Sequence, residues 1–128
     1  VRLLLDTHLV LWTAQGSARR SAEAIGLIED LANEVFFSAA SIWEIAIKTA
    51  KGRPDFMVDA ERLRREMENN GYKELPVTAK HAAATAALPI LHKDPFDRLF
   101  VAQAGVEELV LLTVDAMVAR YPGPIRKV

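Results

Sequence analysis

Two short apolar runs stop on an aspartate and give way to helix-forming sequence: "RLLLDTH" at 2–8 and "LLTVDAMVARY" at 111–121. Parallel strands cannot be joined by a tight turn and need a crossover, usually helical, so a strand leading straight into a helix is the repeating unit of a parallel sheet. The spacing predicts strands over 2–5, 34–37, 74–77 and 109–113, with a further short strand over 125–128 after the "YPGP" turn. Strands alternating with helices point to an α/β fold with a mainly parallel sheet.

The helices announce themselves by their ends. Ser21 is placed to cap a helix in which Ile25, Ile28 and Leu31 recur at three-residue spacing. Ser41 is expected to cap "IWEIAIKTAK", which Gly52 and Pro54 bring to a stop. "VDAERLRREMENNG" is amphipathic, with Ala60, Leu63 and Met67 predicted inward. Thr78 opens the alanine-rich "AKHAAATAAL", which Pro89 closes, and Asp94 followed by Pro95 reads as an N-cap and first helical residue for "PFDRLFVAQAGVEE".

With 128 residues, 51% hydrophobic and 26% charged, the chain is expected to be one globular domain over residues 1–128. The absence of cysteine removes disulfides, thiolate metal sites and thiol nucleophiles together, and fits a reducing, cytoplasmic setting. No apolar run approaches the ~18 residues of a membrane span, so no membrane role is expected. A net charge of −1 argues against broad attraction to nucleic acid but leaves room for a local basic groove. Candidates for one are Arg19 with Arg20, Lys48 with Lys51 and Arg53, the Arg62, Arg64, Arg65 run, and Lys93 with Arg98.

In an open parallel sheet, ligands collect at the carboxyl ends of the strands. That edge is where Asp6 and Asp115 fall, where Glu44 follows the second strand, and where Asp97 can face from the first turn of its helix. Each acid has a structural role open to it. Asp6 and Asp115 can be N-caps, Asp97 can answer a helix dipole, and Glu44 stands three residues after Ser41 and four before Lys48, a capping-box and an ion-pair spacing. Together they pose an electrostatic problem. Two carboxylates ~5 Å apart at an effective dielectric of ~20 repel by roughly 3 kcal/mol. Either protons stay on or a cation binds, and an all-oxygen donor set suits Mg²⁺ or Mn²⁺. A hard ion completed by substrate phosphate oxygens points to phosphodiester hydrolysis. There is no nucleophile elbow, no P-loop and no histidine pair at metal-ligand spacing; His8, His81 and His92 are isolated in sequence. Ser38 and Thr113, near strand ends, are suited to turns or to bonding a ligand.

The chain resembles the PIN-domain nucleases, and among them the VapC toxins of type II toxin–antitoxin pairs. The resemblance rests on "LLLDTHLVLW" at 3–12, "SAASIWEIAIK" at 38–48, "HKDPFDRLFVAQA" at 92–104 and "LLTVDAMVARY" at 111–121, in the family's order and separations. It implies a three-layer α/β/α sandwich with strand order 3-2-1-4-5. It places the family's acids at Asp6, Glu44, Asp97 and Asp115, holding Mg²⁺ with Mn²⁺ as a substitute, and leaves Asp94 as a cap close enough to Asp97 to join the site. It further implies a metal-dependent endoribonuclease acting on single-stranded RNA, working as a homodimer and inhibited by a VapB-type antitoxin. The alternative is a PIN-like interaction module that keeps its acids only as caps. Trp43 and Phe36 or Phe37 are candidate contacts for such partners.

Overall fold

The computed structural model describes all residues from Val1 to Val128. Five strands, β1 (Arg2–Leu5), β2 (Glu34–Ser38), β3 (Lys73–Leu75), β4 (Val110–Thr113) and β5 (Ile125–Lys127), form one sheet in the order β3-β2-β1-β4-β5, every pair parallel. Six α-helices accompany it: α1 (Thr7–Gln15), α2 (Ala22–Glu29), α3 (Ala39–Ala50), α4 (Ala60–Asn69), α5 (Ala79–Ala84) and α6 (Pro95–Glu107). None is long and apolar enough to cross a membrane.

The period-two alternation of the strands divides the core into two. Leu3, Leu5, Val35, Phe37 and Leu112 point to one face, where Leu9 and Val10 of α1, Ile28 of α2 and Leu63 and Met67 of α4 cover them. Leu4, Leu75 and Leu111 point to the other, beneath Phe100, Val101 and Ala104 of α6. The result is the expected three-layer sandwich. Register brings Leu5 level with Phe37 and Leu112, so that Asp6, Ser38 and Thr113 emerge together at the carboxyl edge.

Several predicted ends move, each for a local reason. β3 stops at Leu75, because Pro76 has no amide to donate. β4 begins at Val110, since Glu108 turns out of α6 with φ 57°. Leu31 is fully exposed and not inward, because α2 ends two residues before it, leaving Ala24 and Ile28 as the buried positions. Ser41 is not a cap. Ser38 caps α3 by accepting from the Ala40 amide, and the helix formers Ala39 and Ala40 carry it back to the strand end, which buries Ser41 inside it. Glu44 therefore lies in the second turn of α3, and its capping-box reading fails while its ion pair with Lys48 stands at 3.0 Å. After Asp115 the chain makes a turn, with Asp115 Oδ1 accepting from the Met117 amide at 2.7 Å, before a single 3-10 turn at Val118–Arg120. The Ser21, Thr78 and Asp94 caps are all formed, with Pro95 opening α6.

Candidate active site

Asp6 closes β1 and caps α1, and almost every lone pair of its carboxylate is engaged. Oδ1 accepts from the Leu9 amide at 2.9 Å; Oδ2 accepts from the Thr113 hydroxyl at 2.8 Å and the Val114 amide at 3.0 Å. Thr113 in turn accepts from the Asp115 amide at 3.0 Å, so one hydroxyl links the first acid to the backbone of the last. Valine at 114 suffices because its amide makes the contact. Asp6 is buried, and burial pushes its carboxyl up against the pull of these three hydrogen bonds.

Glu44 reaches the same edge from α3. Its Oε1 accepts from the Thr7 hydroxyl at 2.6 Å, Thr7 lies 3.1 Å from Ser41 Oγ, and Oε2 pairs with Lys48. Thr7 follows Asp6 directly, so this buried network ties the two acids together through adjacent backbone.

Asp97 comes from the first turn of α6, beside its cap. Asp94 Oδ1 accepts from the Phe96 and Asp97 amides at 2.8 and 3.3 Å. His92 Nε2 shares a hydrogen bond with Asp97 Oδ2 at 2.9 Å and lies 3.8 Å from Asp115 Oδ2, bridging the third and fourth acids. The His92 backbone is pinned from both sides by Tyr121: its amide donates to the phenol oxygen, which donates back to the His92 carbonyl. The Asp97 carboxyl is pushed up to about 7, first by burial and then by the charge of Asp94, with Glu44 and Asp6 adding to it and the His92 hydrogen bond opposing.

The four acids singled out from sequence thus stand at one edge of the sheet, joined by Thr113, Thr7 and His92. The tightest group is a different one: His92, Asp94 and Asp97 each offer an atom within 4.8 Å of the others. His92, isolated in sequence, is part of the site, and its position five residues before Asp97 across a proline-led helix start was the one local signal. His8 is exposed against Trp12, and His81 is buried and bonded to Glu107 on α6, away from the acids. Of the proposed contact aromatics, Phe37 is core, Phe36 is half-buried, and Trp43 is 63% exposed with its ring edge against Phe96.

Residues 3–124 match the family model described as the PIN domain. The chain belongs to the PIN domain family. Among solved structures, this PIN domain is similar to a chain of the VapBC2 complex from Rickettsia felis bound to a DNA fragment from its promoter, with TM-score 0.72 at 16% identity, covering 100% of this chain and 99% of that one. A chain of the DNA-bound VapBC from Salmonella typhimurium gives 0.68 at 17%, covering 99% and 98%. The PIN domain endonuclease Utp24 gives 0.55 at 13%, covering 99% and 84%. At these identities the likeness is one of fold. No curated protein matches the sequence.

A divalent cation fits what this PIN domain offers. The donors at the edge are carboxylates, and Asp97 keeps its proton to about 7 because neighbouring acids and burial oppose its charge. A cation would oppose the same charges without the proton. Asp6 Oδ1 and both Asp115 oxygens keep lone pairs beyond the hydrogen bonds they accept.

Proposed function

We propose that this chain is a metal-dependent endoribonuclease of the VapC kind, hydrolysing phosphodiester bonds in single-stranded RNA. The observation that carries the reading is the convergence of Asp6, Glu44, Asp97 and Asp115 on one strand edge, with Asp97 holding its proton to about 7 through burial and the acids beside it. Asp6, Asp97 and Asp115 hold Mg²⁺, for which Mn²⁺ substitutes, directly or through water; Glu44 joins them or orients the attacking water. Bound there, the ion supplies an acidified water and offsets charge developing on the phosphate. Asp6 is fixed by its three donors and Glu44 by Thr7 and Lys48, so both are held before substrate arrives. His92 holds Asp97 and faces Asp115, setting the spacing of the two acids.

The likeness to chains of VapBC complexes supports a VapB-type antitoxin as partner, and the exposed Trp43 on α3 offers surface for a second copy in a homodimer. The whole chain, 1–128, would act as one domain in the cytoplasm. A binding-only module is the rival reading, favoured by how fully Asp6 and Asp94 serve as caps.

The test is cleavage of a panel of single-stranded RNAs with Mg²⁺, with Mn²⁺ and with EDTA, by wild type and by Asp97→Asn. Cutting that needs metal and vanishes in the variant is expected. Equal cutting by the variant, or none by wild type with either ion, overturns the reading and favours the module.

A further inference from the structure

A cleft of ≈ 650 Å³ is not formed by the acids but begins beside them, between α1 and the segment that runs from the end of α3 to Val58. His8, Leu11, Trp12 and Gln15 line it from α1; at three- and four-residue spacing they share one helix face. Lys48 faces it from α3 and Lys51 from the cap position just after that helix, followed by Arg53, with Arg19 from the loop after α1. Four cations against the single acid Asp55 make this a local basic groove in a chain of net charge −1. Lys48 is paired with Glu44 and Arg53 with Asp55, whereas Arg19 and Lys51 have no ion-pair partner.

The groove leads out of the acidic edge. His8 follows Asp6 by two residues, and Glu44 and Lys48 descend one face of α3 at i and i+4, continued at i+7 by Lys51 at the helix cap. At ~1.5 Å per residue, Lys51 stands roughly 10 Å along the axis from Glu44. Beside this line of cations is an aromatic surface: the exposed His8 ring and the half-buried Trp12 ring have centroids 5.7 Å apart, tilted by 51°.

We propose that this cleft seats the nucleotides flanking the cut in single-stranded RNA, their phosphates on Lys48, Lys51, Arg53 and Arg19 and a base against His8 and Trp12. The proposal rests on the nuclease reading above and names where its substrate lies. Cations spaced along a path, with π-faces alongside, are what sequence-tolerant binding of a single strand requires. An acidic peptide would answer the cations and leave the rings without a role.

The test uses Lys51→Gln with Arg53→Gln, both exposed and neither among the acids. Fluorescence anisotropy of a labelled single-stranded RNA is measured in an Asp97→Asn background, which keeps the probe uncut, and cleavage by the double variant is measured with Asp97 intact. Binding should weaken at least tenfold, and the slope of log affinity against log salt should flatten by about 1.4, about 0.7 for each lost phosphate contact on a single strand. In cleavage, KM should rise at least tenfold with kcat little changed and melting temperature unaltered. Unchanged affinity and salt slope, while wild type cuts the same RNA, would overturn the cleft proposal and leave the nuclease reading standing. Unchanged RNA affinity with lost binding of a polyglutamate probe would overturn it in favour of a protein partner. If wild type does not cut RNA, the nuclease reading falls and takes this proposal with it.

Discussion

Asp6 and Asp97 stand at the same edge of the sheet and are held in opposite ways. Around Asp6 the chain supplies three donors, from Leu9, Thr113 and Val114, so the carboxylate is part of the joint between β1, α1 and β4. Around Asp97 it supplies burial first and then the charge of other acids, with one hydrogen bond from His92, and the carboxyl keeps its proton to about 7. The first corner holds the fold together whether or not a cation is present. In the second, the carboxyl is raised by burial and by neighbouring charge, which a cation would oppose. On the proposed reading, one kind of acid positions the site and the other answers the cation.

The largest effect expected is on cleavage. Asp97→Asn and Asp6→Ala should each reduce RNA cutting on the order of 10⁴-fold, as when one member of a residue set acting as a unit is removed; single-turnover rates with Mg²⁺ check this. The two variants should part company in stability. Asp6→Ala loses a helix cap and leaves the Thr113 hydroxyl and Val114 amide without their acceptor, a cost of about 2–4 kcal/mol in urea denaturation.

The pH dependence of the metal-free protein is the next effect. Asp97 has a folded value of about 7 against an ordinary value of 3.8. Between these the folded chain holds a proton that the unfolded chain has released, so stability is full below about 3.8, falls as pH rises, and levels off above about 7. Asp6, also raised, acts in the same direction. Denaturation at stepped pH in EDTA should show this decline, and Asp97→Asn should flatten it. The smallest effect belongs to Asp94→Asn. Asparagine caps a helix as well as aspartate, so at a pH low enough to keep Asp97 protonated in both folded and unfolded chain stability should change by only a few tenths of a kcal/mol. Asp94 is nonetheless the largest charge acting on Asp97, so the Asp97 carboxyl, followed by NMR titration, should move down toward its ordinary value.

The parts of this site that were legible in sequence are those written in consecutive residues. Strand runs, the Asp94–Pro95 helix start and the Asp6 cap depend on neighbours a few positions away; the cap and the helix start formed as read, and the strands formed where expected with their ends shifted. That two acids at strand ends and two on helices meet at the carboxyl edge of the sheet followed from the parallel topology. What joins them did not, because Thr7 meets Glu44 across 37 positions and Thr113 meets Asp6 across 107, and such pairs depend on sheet register. His92 stayed hidden for a related reason: its approach to Asp97 needs the Tyr121 phenol to fix the intervening loop. Ser41 misled because two serines stood near the same helix start, and the better helix formers between them decided which became the cap.

The most direct test of this division of labour is urea denaturation of wild type and Asp97→Asn, each in EDTA and in saturating Mg²⁺ at pH 8. In EDTA the variant should equal or exceed wild type in stability. With Mg²⁺ at about 100 times its dissociation constant, wild type should gain about 2.7 kcal/mol and the variant should gain much less, so that their order reverses. A variant less stable than wild type in EDTA, with the same response to Mg²⁺, would contradict the claim that Asp97 is strained for metal.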